Sequence, residues 1–154
     1  MADYPSKAYT EQGGDKIVVE SGGEIEVQSG GTLDLQPGAN VKLTTPLETK
    51  ATSYVVTAAD SGKTFLAGAV DLKFTLPATV AGLTYTFICK TVSTSTGLQI
   101  DPAAADAIHH TTSVDNKDLI NTAATDVEGD TVTLVGDGVD GWWVKAIDGI
   151  WAKE

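Results

Sequence analysis

Between Val19 and Leu43 the chain repeats itself every eight residues: VESGGEIE, then VQSGGTLD, then LQPGANVK, then Leu43. A fixed short period restricts a chain to architectures built from one recurring structural unit. Val19, Val27, Leu35 and Leu43 share one phase of the octad, and Ile25, Leu33 and Val41 share a second. Residues two apart point to the same side of a strand, so Ile25 with Val27, Leu33 with Leu35 and Val41 with Leu43 form an apolar face. Glu24, Glu26 and Gln28, then Thr32, Asp34 and Gln36, form the opposite polar face. The pairs Gly22-Gly23 and Gly30-Gly31 tolerate positive φ and turn the chain. Each octad therefore reads as a five-residue strand and a tight corner, and two octads could make one turn of a flattened roll.

A segment this slender cannot offset the entropy of ordering itself with so few aliphatic side chains. It needs a second apolar surface, and the simplest source is the same segment from other copies of the chain around a symmetry axis. The expectation is a homo-oligomeric stalk over residues 17–45. Its core would be Val19, Ile25, Val27, Leu33, Leu35, Val41 and Leu43. The competing reading is that the octads continue the sheet of the following domain.

Residues 51–154 abandon the octad. Strand candidates at Ser53–Ala59, Lys63–Ala69, Leu72–Leu76, Leu83–Lys90, Leu98–Ile100, Thr131–Val135, Trp142–Ile147 and Ile150–Ala152 are separated by Asp, Ser, Gly and Pro turn signals. Such spacing predicts a β-sandwich or jelly-roll-like domain. The fold class is thus all-β: the octad stalk followed by that domain. The stretch Val114–Ala124 could hold a short helix. Trp142 and Trp143 are adjacent, so on a strand one enters the core and the other faces outward. The pair is a candidate outer interface. Residues 1–16 read as an extended arm in which Tyr4, Pro5 and Tyr9 could anchor on a partner by backbone pairing and ring contacts.

Charge narrows the functions. Ten cations, all lysine, face 21 carboxylates for a net charge of −11. A nucleic-acid binder needs clustered positive charge, and docking on an anionic membrane needs a polybasic segment. Neither partner is expected. With 42% hydrophobic and 20% charged residues the chain can pack a core. No apolar run is long enough to span a bilayer, and MADYPSKAYTEQGGDK does not read as a secretory signal.

Chemistry is sparse. The sequence has no Gly-x-Ser-x-Gly elbow, Walker loop, Gly-x-Gly-x-x-Gly or His-Glu-x-x-His. The lone Cys89 shares a strand phase with Tyr85 and Phe87 and reads as a buried filler. His109 and His110 are adjacent and point apart on a strand, so together they cannot chelate one ion; only a three-fold axis could gather copies around a metal. Asp126–Asp130 and Asp137–Gly141 offer oxygen ligands suited to calcium, but neither fits an EF-hand loop, and Asp-Gly pairs serve as turns. No cofactor and no enzymatic activity are expected.

Two stretches resemble a known group. Tyr4-x-x-Lys7-x-Tyr9-x-Glu11-Gln12-Gly13-Gly14-Asp15-Lys16, running into the first octads, is similar to small structural proteins of tailed bacteriophages described as head fibre or capsid decoration proteins. The closing stretch from Gly129 to Val144 looks like a terminal hairpin of the same group and of some tail-fibre proteins. The resemblance implies a trimeric virion protein on the capsid exterior, made in the host cytoplasm. Its partners would be other copies of itself and the phage major capsid protein, the capsid being gripped by the arm that carries Tyr4, Pro5 and Tyr9. The alternative it implies is a tail fibre or receptor-binding module that recognises a host surface polysaccharide. An exposed aromatic platform at Trp142 or Trp143 would favour that alternative.

Overall fold

Alternating β-branched and aromatic residues between turn residues give short strands, and in a computed structural model of the protein the regular secondary structure among the described residues is strand apart from one 3-10 turn at Ala58–Asp60. The structure describes residues 8–10, 17–19, 23, 25–28, 31, 32, 34, 37, 44–110 and 118–153. The chain divides into two compact units, Met1–Lys42 and Leu43–Glu154.

In the first unit β1 (Ala8–Thr10) pairs antiparallel with β2 (Ile17–Val19), placing Tyr9 opposite Val18. Part of the expected arm is therefore tied by backbone pairing to the start of the octad segment. Val19 is half-buried. Residues 25–28 belong to no strand within the single chain, and Ile25 and Val27 are 68% and 47% exposed. The Gly31 N–H donates to the Gln28 carbonyl at 2.8 Å and closes a tight turn there. Tyr4, Pro5, Leu33, Leu35, Val41 and Leu43 lie outside the described residues.

The described residues of the second unit hold eleven strands: β3 (Leu47–Lys50), β4 (Tyr54–Val55), β5 (Thr64–Ala67), β6 (Lys73–Thr75), β7 (Thr84–Cys89), β8 (Leu98–Asp101), β9 (Ala107–His109), β10 (Leu119–Asn121), β11 (Thr131–Gly136), β12 (Gly141–Asp148) and β13 (Trp151–Lys153). They form a six-stranded sheet, β3-β5-β7-β11-β12-β9, and a five-stranded sheet, β13-β10-β8-β6-β4. From β3 to β10 the chain changes sheet with every strand. The ladders β3–β5–β7 and β4–β6–β8 are parallel, so this half is a flattened β-roll. The hairpin β11–β12 and the strands β10 and β13 complete it with antiparallel pairs.

This corrects two expectations. A jelly roll is antiparallel throughout, whereas these sheets are mixed, because strands on successive passes of a roll run in the same direction. In the stretch considered for a helix, residues 114–117 lie outside the described residues, and the described residues 118–124 hold β10 and a turn instead. Its Leu119 and Asn121 are fully buried while Ile120 points outward, a period of two rather than 3.6.

The core lies between the sheets. Phe65, Tyr85, Phe87, Val132, Leu134, Ile108 and Trp142 come from one, and Phe74, Leu98, Ile100, Leu119 and Trp151 from the other. Burying each of these side chains contributes about 1.5–3 kcal/mol. One end of the roll, where β3 and β4 are edge strands, is closed by charge instead. Glu48 and Lys50 occupy the inward phase of β3, beside Phe65 and Ala67. Lys50 pairs with Glu48 and its Nζ lies 3.4 Å from the Tyr54 ring centroid. Lys63 pairs with Asp60 at 2.7 Å. Inward-pointing charge on an edge discourages pairing with another sheet.

Candidate functional site

At the other side of the six-stranded sheet, three loops and two strands converge around Trp143. Alternation along β12 sends Trp142 inward, with no exposed surface, and Trp143 outward, 48% exposed. The outer-interface role considered for both tryptophans therefore falls to Trp143 alone, and Trp142 belongs to the core, 5.3 Å from the Tyr85 ring.

Asp137 builds the turn before β12. Its Oδ1 accepts the N–H groups of Val139, Asp140 and Gly141 at 2.8, 2.9 and 3.0 Å. Its Oδ2 accepts the Trp143 indole N–H at 2.7 Å. The indole donor, joined by those amides, holds the Asp137 carboxyl well below the usual carboxylate range. On its β9 side Trp143 stacks on His109, with ring centroids 4.4 Å apart and planes at 23°. The indole is thus fixed both by a charge-assisted hydrogen bond and by a ring contact.

Gly141 makes the arrangement possible. It pairs with Ala107 in the parallel β12–β9 ladder at φ 137°, and a Cβ there would collide with the Ala107 backbone. Thr79 then ties the neighbouring loops together. Its hydroxyl donates to the Gly141 carbonyl at 2.8 Å and accepts the Gly138 N–H at 3.2 Å, while its own N–H donates to Asp106 Oδ2 at 2.7 Å. Beside this seam lies an open depression of about 590 Å3, lined by Ala104–Ala107, His109, Val139 and Asp140.

The platform adjoins a face that is largely uncharged, with Asp148 of β12 standing opposite Thr131 at its far end. Trp143 shares a cross-strand row with His109, Val135 and Thr84. The outward residues of β5, β7 and β11 are Thr64, Leu66, Thr84, Thr86, Ile88, Thr131, Thr133 and Val135, none of them ionisable. The threonine hydroxyls are turned into the sheet: Thr84 donates to the Leu134 carbonyl, Thr131 to the Phe87 carbonyl, and Thr86 bonds Thr133. The outer face of the other sheet differs, with Lys73 bridging Asp101 and Asp118 at 2.9 and 3.2 Å.

The remaining acidic candidates are loop clamps. Asp126 accepts the Ser93 N–H at 2.7 Å, and Asp130 accepts from Asn121 Nδ2 and the Val127 N–H. Asp71 gathers the amides of Ser95, Thr96 and Gly97. Partial burial works against its charge, but those donors prevail and its pKa falls to about 2. Among the described residues no three His, Cys, Asp or Glu side chains gather as a metal would require. Cys89 is fully buried, and burial with the nearby Asp126, Asp130 and Glu128 pushes its thiol up to about 11. A thiol so held is a poor nucleophile.

Alternation implied one inward and one outward tryptophan without saying which, and the structure makes Trp143 the outward one. Its partner His109 was not legible, because Ala107–His109 has no run of β-branched residues and no turn signal ties it to β12. No protein-family model matches the chain, and no curated protein matches it.

Proposed function

We propose that this protein is a non-enzymatic structural component of a phage virion, a homo-oligomer that binds the exterior of the assembled head as a decoration protein or head fibre. The observation that carries the reading is the exposure of Ile25 and Val27 in a repeat whose apolar phase recurs at every octad. In the single chain these two side chains keep about half or more of their surface exposed, and sister chains packed around an axis would cover them. The likeness of both ends of the sequence to head fibre and decoration proteins supports the assignment. So does the net charge of −11, which suits a surface facing away from packaged DNA.

Binding would act by mass action. A ligand that recognises only the assembled shell stabilises it by RT ln(1 + [L]/Kd) per site. Light scattering on the full chain should give a multiple of 16.0 kDa. The protein should co-sediment with purified heads and raise their temperature of disruption. A monomer that leaves heads unbound overturns the reading.

A further inference from the structure

We propose that the Trp143–His109 platform and the adjoining depression form a binding site for a neutral hexopyranose saccharide. The inference stands apart from the head-binding reading, since the platform lies in the second compact unit and the octads in the first.

A pyranose ring has an apolar C–H face and a rim of hydroxyls, each both donor and acceptor. A protein that holds one needs a flat, exposed aromatic ring, fixed in advance, with acceptors and donors at its border. Trp143 supplies the ring: it is half exposed, and its indole N–H is already committed to Asp137. With the His109 stack, this fixes the ring before any ligand arrives, so little side-chain entropy is lost on binding. The His109 imidazole and the Asp140 residue border the depression beside it. Its volume of about 590 Å3 lies within the range of small-molecule sites, about 300–1,000 Å3.

Charge selects among ligands. Asp106, Asp137 and Asp140 cluster at this end of a chain of net charge −11, which repels phosphates, uronates and sialates. The outward residues of β5, β7 and β11 beyond Trp143 carry no charge, and the ionisable side chains of the neighbouring β12 are one lysine, Lys145, and one carboxylate, Asp148, which do not make a charged stripe for a polyelectrolyte. A neutral chain of sugars could continue across this face from the ring.

The test uses the full chain and tetrasaccharides of glucose, galactose and N-acetylglucosamine, with tetragalacturonate as the anionic counterpart. Binding is read by saturation-transfer NMR and tryptophan fluorescence. At least one neutral tetrasaccharide should bind saturably in the millimolar range or tighter, and tetragalacturonate should not. Trp143→Ala should weaken binding by about tenfold or more, Trp143→Phe by less, with cooperative unfolding retained and molecular mass unchanged. The proposal is overturned if none of the neutral probes binds, if Trp143→Ala binds as well as the parent, or if tetragalacturonate binds best. It is also overturned if Trp143→Ala lowers the molecular mass, which would make the platform a contact between copies.

Discussion

Phe74 of the five-stranded sheet meets Phe87 of the six-stranded sheet with ring centroids 5.0 Å apart and planes at 52°. Both rings are completely buried, and Phe65 lies against each. This contact joins the two layers at mid-core. Phe74→Ala should cost about 3–5 kcal/mol, the sum of lost transfer energy and the cavity left behind. Phe74→Leu should cost substantially less. Urea unfolding at fixed protein concentration measures both, and equal losses for the two variants would contradict the packing described.

Two glycines with positive φ should respond very differently to alanine. At Gly141 a Cβ meets the Ala107 backbone, so Gly141→Ala must either separate β12 from β9 or distort both. Gly82 also has positive φ, 87°, but nothing lies within 4 Å of its Cβ position. Gly82→Ala should cost about 1 kcal/mol of backbone strain. Gly141→Ala should cost several times more, and amide exchange should speed up selectively in Ala107–His109.

Asp60 should steepen the acid limb of stability. Burial favours its neutral form, but Lys63, the N–H and hydroxyl of Thr57 and the Tyr54 hydroxyl outweigh that and hold it well below the usual carboxylate range. A carboxyl depressed in the folded state contributes fully above its unfolded pKa, about 3.9, and loses that contribution as pH falls below it. Asp60→Asn should cost about 1–3 kcal/mol at neutral pH. The gap to the parent, followed by urea midpoints, should narrow as the solution is acidified below about pH 4.

Asp118 should behave with the opposite sign. Burial first, and then the neighbouring Asp101, raise its pKa, while Lys73 offsets them only in part. The folded state therefore holds this proton more tightly than the unfolded chain, and ionising Asp118 costs stability as pH rises through its folded pKa. Asp118→Asn should stabilise the protein by up to about 1 kcal/mol at neutral pH. The advantage should vanish in acid, where the parent carboxyl is already protonated. A constant difference across the titration would contradict this.

The sheets of the second unit were legible wherever one face of a strand is greasy and the other is not. Tyr85, Phe87 and Cys89 alternate with Thr84, Thr86 and Ile88, and Leu72, Phe74 and Leu76 with Lys73 and Thr75. All six residues of those inward sets are buried. Leu47–Lys50 escaped notice because its inward side chains are Glu48 and Lys50, which invert the expected pattern. Leu119–Asn121 was masked by its brevity and by the buried Asn121, whose amide serves Asp130. Parallel pairing was not legible at all, since a period of two is the same whichever way the neighbouring strand runs. The platform was half legible. Adjacent tryptophans imply one outward ring, but the histidine beneath it arrives through a ladder between strands distant in sequence.

The alternation of strands between the two layers has a consequence for how the domain is made. Each parallel ladder encloses a segment that belongs to the opposite layer, as β4 lies between β3 and β5. Neither layer can be laid down first as a finished ribbon and then covered. Every added winding extends both at once, and pays the entropy of bringing together residues that are far apart along the backbone. Assembly of this half must therefore proceed like coiling a strap, with the partly wound end exposing its greasy lining until the next pass arrives.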